Sequence, residues 1–110
     1  MSRVLLVDDD VNMRDALSAV LEGAGHDVTV AGDGLEGVRL ASEADPQVIV
    51  SDVMMPLMNG PEMIREIKAM PEFKQVLVIL MSALATKPAV PVAAMLRKPF
   101  APVELLKLLD

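Results

Sequence analysis

A chain of 110 residues, 53% of them hydrophobic and with a mean hydropathy of +0.44, carries enough apolar material for one packed domain and argues against disorder. Its net charge of −6 and pI of about 4.6, with no Lys/Arg cluster to offset them, set it against direct nucleic-acid binding. The absence of cysteine excludes disulfides and thiolate metal sites, and no apolar stretch is long enough to cross a bilayer, so a cytoplasmic protein without a membrane partner is expected.

The N-terminal MSRVLLVDDD has one basic residue and an apolar run stopped by three acids, which is not the pattern of a signal peptide. Within it, Val4 to Val7 reads as a strand buried on both faces. Met13, Ala16, Leu17, Val20 and Leu21 recur at helical spacing, predicting a helix over Val11 to Gly23 with Asp10 as its cap. Val28 to Val30 is a short strand, preceded by a turn in which His26 is expected to be exposed. After the Asp33-Gly34 turn, Leu35, Val38 and Ala41 predict a second helix ending near Asp45-Pro46. Val48 to Val50 is another buried strand, closed by Asp52, and a loop follows from Val53 to Gly60. Pro61 opens a third helix with Met63, Ile64, Ile67 and Met70 as its core stripe. Val76 to Met81 is a strand ending at Ser82, and Ala94 to Leu96 is the last strand. Leu105, Leu106 and Leu109 line a final helix. With Phe73 and Phe100 as the only aromatics, the core has to be aliphatic, filled out by the helical methionines.

Alternating strands and helices, with strands apolar throughout, imply a doubly wound α/β fold: a parallel sheet covered on both faces and joined by right-handed crossovers. In such sheets functional groups gather beyond the carboxyl ends of the strands. The polar residues that end these strands are Asp8, Asp9, Asp52, Ser82 and Lys98. One region departs from the pattern. Pro88 and Pro91 fall where the fourth crossover helix belongs, and leave room for one turn at most.

Two carboxylates about 5 Å apart repel by roughly 3 kcal/mol at an effective dielectric of 20. A cluster of Asp8, Asp9 and Asp52 therefore calls for a cation or a proton. Oxygen-only donors favour a hard ion, and Mg²⁺ suits a few carboxylates plus a phosphate. Asp52, at the end of the central strand, can serve as a nucleophile toward phosphorus. Lys98 and the Ser82 hydroxyl can then neutralise and hold phosphoryl oxygens.

LLVDDD, VIVSDVMMPLMNG, VILMSA and RKPF, in that order along nearly the whole chain, resemble the receiver domain of two-component response regulators. The resemblance implies a flavodoxin-like, CheY-like sheet of five parallel strands in order 2-1-3-4-5, here with the fourth helix short or missing, and a single receiver domain over residues 1–110. It implies phosphorylation at Asp52 from a sensor histidine kinase or a histidine phosphotransfer protein. Asp9 is then a direct Mg²⁺ ligand, Asp8 acts largely through water, and the backbone carbonyl of Met54 completes the metal shell. Ser82 is the switch hydroxyl, Lys98 the phosphoryl-binding lysine, and Lys98–Pro99 a cis bond. Such a domain is a phosphoacceptor passing a signal to a protein partner, with at most self-phosphorylation and slow autodephosphorylation of its own. Slow loss is expected because Met54 and Leu84, which flank the site, are apolar. Three features depart from the family: the fourth crossover is altered, Met95 stands at the switch-aromatic position, and the last helix is short. Phosphorylation is accordingly expected to order Leu84 to Val92.

Two other readings compete. A phosphohydrolase of the haloacid-dehalogenase type also uses an aspartyl nucleophile at a strand end, but Asn12 stands where its motif calls for Thr or Val. A receiver-like module that binds partners without being phosphorylated would account for the altered crossover.

Overall fold

The computed structural model describes residues 1–84 and 90–109. Five parallel strands form one sheet in the order β2-β1-β3-β4-β5. They are β1 (Arg3–Val7), β2 (Asp27–Ala31), β3 (Val48–Asp52), β4 (Leu77–Ser82) and β5 (Ala94–Arg97). The helices are α1 (Val11–Gly23), α2 (Gly34–Ala44), α3 (Gly60–Lys68) and α4 (Pro102–Leu109), with a 3-10 turn at Pro71–Phe73.

The apolar runs of β1, β3 and β4 are continuous because each strand feeds two cores. Leu5, Val7, Ile49, Val78 and Leu80 face α2 and α3. Val4, Leu6, Val48, Val50, Ile79 and Met81 face α1 and α4. Alternation along each strand sends neighbouring residues to opposite sides, so a strand covered on both sides has no polar position to spare.

Local chemistry sets the helix starts. The Asp10 side chain accepts the Met13 N–H, and Asp33 that of Glu36. Asn59 and Glu62 form a reciprocal capping box, with Pro61 in the first turn of α3. These caps fix where the strand-to-helix loops turn, and the first of those loops carries Asp8 and Asp9.

Several sequence expectations need correction. Leu35 fits the helical spacing of α2's apolar residues, yet it is 50% exposed. The stripe runs instead through Gly34, Gly37 and Ala41, because α2 packs so close to its neighbours that a Cβ at Gly34 would strike Met58 and one at Gly37 would strike Met63. Ala16 lies on the exposed flank of α1. Met70 falls beyond the end of α3 but still packs on the same core. His26, expected in an exposed turn, is half-buried, and its Nδ1 accepts the Ser2 N–H at 3.0 Å, holding the strand entry beside β2.

In the fourth crossover the described residues contain no helix. Val90 is buried against the α2–α3 core and Val92 packs partly on it. Pro88 and the middle of the segment expected to become ordered lie outside the described residues, whereas Pro91 is exposed at the approach to β5.

Candidate functional site

Strand register builds the site. Val7 on β1 pairs with Ser51 on β3, so the next residues, Asp8 and Asp52, emerge side by side at the carboxyl edge. Asp52 pairs with Met81 on β4, which puts Ser82 one step further along the same edge. Ser82 pairs with Arg97 on β5, and Lys98 follows, its backbone N–H donating to the Ser82 carbonyl at 2.7 Å.

Lys98 turns inward. Its Nζ lies 3.1 Å from Asp8 Oδ2 and 3.2 Å from Asp52 Oδ2, with side chains 18%, 0% and 14% exposed respectively. The other oxygen of Asp8 accepts the Asp10 N–H at 3.0 Å. Asp9 is exposed, but one carboxylate oxygen from each of Asp8, Asp9 and Asp52 lies within 4.8 Å of the others. Lys98 can offset only one of the three negative charges. The remaining excess, presented by oxygen donors alone, fits a hard divalent cation such as Mg²⁺.

Burial, the largest influence on Asp52, pushes its carboxyl above the usual range. The ammonium of Lys98 pulls the other way, while Asp8 and Asp9 add to the rise. Burial likewise works against the charge of Lys98, but its hydrogen bond to Asp8 and the nearby charges of Asp52 and Asp8 outweigh it, and the pKa is raised. Lys98 therefore stays a cation wherever the two carboxylates are ionised.

The other residues singled out from the sequence are placed as follows. Ser82 is buried, and its Oγ accepts the Leu84 N–H at 3.0 Å, keeping its own proton to donate. Met54, just past β3, is 69% exposed, and Leu84 is 61% exposed. The Lys98–Pro99 bond is cis. Met95 lies on β5, partly buried against the α2–α3 core, so an aliphatic side chain occupies the position noted for lacking an aromatic.

Two residues near the site were not singled out from the sequence. A Cβ on Gly60 would strike the Asp52 carbonyl, so only glycine allows the loop after Asp52 to close, through the Gly60 N–H to Val53 O bond of 2.9 Å. The glycine after Asn59 was the available hint. Arg14 reaches back from α1 to the Asp8 carbonyl, at 3.5 Å. A single arginine on an amphipathic helix gives no such indication.

Residues 4–110 match the family model of the response regulator receiver domain. The chain is 46% identical over 68 residues to the transcriptional regulatory protein CpxR homolog of Haemophilus influenzae, a stretch covering 62% of this chain and 30% of that one. It thus spans under a third of that relative's length. Among solved structures it resembles the chemotaxis response regulator CheY4 of Vibrio cholerae, with a TM-score of 0.91, 35% identity, and 99% and 96% of the two chains covered. It also resembles the receiver domain of a sensor histidine kinase from Pseudomonas aeruginosa that has magnesium coordinated in its active-site cleft (TM-score 0.90, 29% identity, 98% and 93% covered).

Proposed function

The chain belongs to the response regulator receiver family, signalling domains rather than enzymes in the ordinary sense, and from that premise we propose that Asp52 is its phosphoryl acceptor. On this reading residues 1–110 act as one cytoplasmic receiver unit. The phosphoryl donor is a phosphohistidine on a sensor histidine kinase or a histidine phosphotransfer protein. A carboxylate oxygen of Asp52 attacks phosphorus, the P–N bond breaks as the P–O bond forms, and the imidazole leaves with the electron pair.

The observation that carries the proposal is Lys98 Nζ, held within 3.2 Å of Asp52 and 3.1 Å of Asp8 at the point where the three carboxylates converge. Phosphoryl transfer needs charge stabilisation and alignment more than covalent assistance. Asp8 anchors the Lys98 ammonium beside the nucleophile, ready to follow charge onto a phosphoryl oxygen. In the metal-free chain burial and the flanking acids push the Asp52 carboxyl above its usual range, so a bound cation would offset an unfavourable concentration of negative charge. Mg²⁺ held by Asp8, Asp9, Asp52 and the Met54 carbonyl would supply the balancing positive charge at the phosphoryl oxygens. Ser82, released from the Leu84 N–H, can turn its hydroxyl to the bound group, and that movement is the start of the signal to a protein partner.

Incubation with acetyl phosphate and Mg²⁺, followed by intact-mass measurement, tests this. The wild-type chain is expected to gain one phosphoryl group, and to gain none in EDTA. A wild-type chain that stays unmodified with Mg²⁺ present would favour the partner-binding module that works without phosphorylation. Turnover of generic phosphomonoesters would favour the phosphohydrolase.

A further inference from the structure

Arg14 stands beside the carboxylate cluster, and the chemistry above leaves it unused. It lies in the first turns of α1, its backbone N–H donating to Asp10 O at 2.9 Å. Its side chain is half-buried. Nη1 reaches the backbone carbonyl of Asp8 at 3.5 Å, and Nε is buried with no hydrogen-bond partner. A buried, unpartnered donor is unfavourable, so something other than its own hydrogen bonding holds the side chain in place. The floor beneath it is Gly32, just past β2, where an added Cβ would lie 3.0 Å from Nη1. Glu36, in the first turn of α2, fixes that floor by accepting the Gly32 N–H at 2.8 Å. Asp8 is thereby gripped on each polar group: its N–H donates to Ala31 O at 3.2 Å, its carboxylate meets Asp10 N–H and Lys98, and its carbonyl faces Arg14.

We propose that Arg14 is a positioning residue: wedged over Gly32, its guanidinium holds the Asp8 carbonyl and so presents the Asp8–Asp9 pair to a divalent cation. The proposal rests on the metal reading of the cluster. It predicts an effect opposite in sign to that of charge alone. As a charge, Arg14 repels a cation, and its removal would tighten Mg²⁺ binding. As a strut its removal loosens the ligand loop, and outer residues that orient metal ligands typically account for tenfold or more in affinity.

Calorimetric titration of the whole chain with Mg²⁺ separates the two, with urea unfolding in EDTA reporting stability independently. Arg14→Met is expected to weaken Mg²⁺ binding about tenfold, with Arg14→Lys, which keeps the charge but not the fork, in between. Gly32→Ala, which keeps Arg14 but pushes against Nη1, is expected to weaken binding by less than Arg14→Met does in the wild-type background, and not at all beside Arg14→Met. Should Arg14→Met fail to fold, Gly32→Ala and Arg14→Lys carry the test. Variants that bind Mg²⁺ as tightly as wild type, or more tightly, overturn the positioning role while leaving the metal site standing. So does a Gly32→Ala effect that persists undiminished beside Arg14→Met. A wild-type chain that binds no Mg²⁺ overturns both.

Discussion

The centre of the sheet and its β5 edge are built to different standards. β3 is buried at four of its five positions and β1 at the same number, and together they deliver Asp8 and Asp52 into register. β5 is only partly buried at three positions and exposed at the fourth, and the crossover leading to it has no helix among its described residues. The two carboxylates are held by thoroughly packed strands, and Lys98, which joins them, comes from the end of the sparsely packed one. The β5 edge is packed more loosely. Substitutions at the centre are therefore expected to touch the chemistry most, and those at the edge least.

The largest effect is expected at the centre. Asp52→Asn should abolish phosphoryl uptake, because an amide is no nucleophile toward phosphorus; intact-mass measurement reads the loss directly. Lys98→Met should slow uptake about a hundredfold, the usual consequence of removing one fixed positive donor from developing charge, in a time course with acetyl phosphate. Lys98 follows β5 in sequence but serves the centre. If Lys98→Met left the rate intact, the division between centre and edge would have been drawn in the wrong place.

A tenfold effect is expected at the rim. Met54 and Leu84 are exposed and apolar, so neither can orient a water for attack on an aspartyl phosphate. Replacing both by Asn should speed loss of the phosphoryl group about tenfold, measured by following the phosphorylated mass after the donor is removed. An unchanged decay rate would show that water reaches the site by another route.

A smaller effect concerns stability. Because burial raises the Asp52 pKa on folding, the folded state favours the protonated carboxyl. The stabilising contribution of that group is complete below the unfolded carboxyl value and is lost as pH rises through the higher folded value. In EDTA, Asp52→Asn should therefore gain on wild type in urea-unfolding stability as pH rises from mildly acidic to neutral, and the gap should narrow in acid. A gap that widens in acid would mean that the ion pair with Lys98 outweighs burial. The smallest effect belongs to the edge: Met95→Phe should change the phosphorylation rate by less than about twofold, since Met95 packs into the core and contributes no polar group to the reaction.

Much of this was legible in the sequence for one physical reason. Strands buried on both faces must be apolar throughout, so any polar residue that ends one stands out, and Asp8, Asp52 and Ser82 appeared in that way, while Lys98 stood out after a short apolar strand and before Pro99. Features that depend on close approach between distant segments were not legible. Leu35 fits a helical stripe, yet Gly34 and Gly37 let α2 come so near that the stripe rotates past it. Arg14 looks like a solvated helix residue until Gly32 is seen beneath its guanidinium. Strand ends shifted by a residue, as with β4 beginning at Leu77 after a buried Val76, because hydrophobicity records burial and not hydrogen bonding.

The most direct test locates the phosphoryl group. The chain is treated with acetyl phosphate and Mg²⁺, the acyl phosphate is trapped by reduction with borohydride, and the digested peptides are mapped by mass. Conversion of Asp52, and of no other aspartate, to homoserine is expected. Conversion at Asp8 or Asp9, or no trapped residue in a chain that binds Mg²⁺, would contradict it.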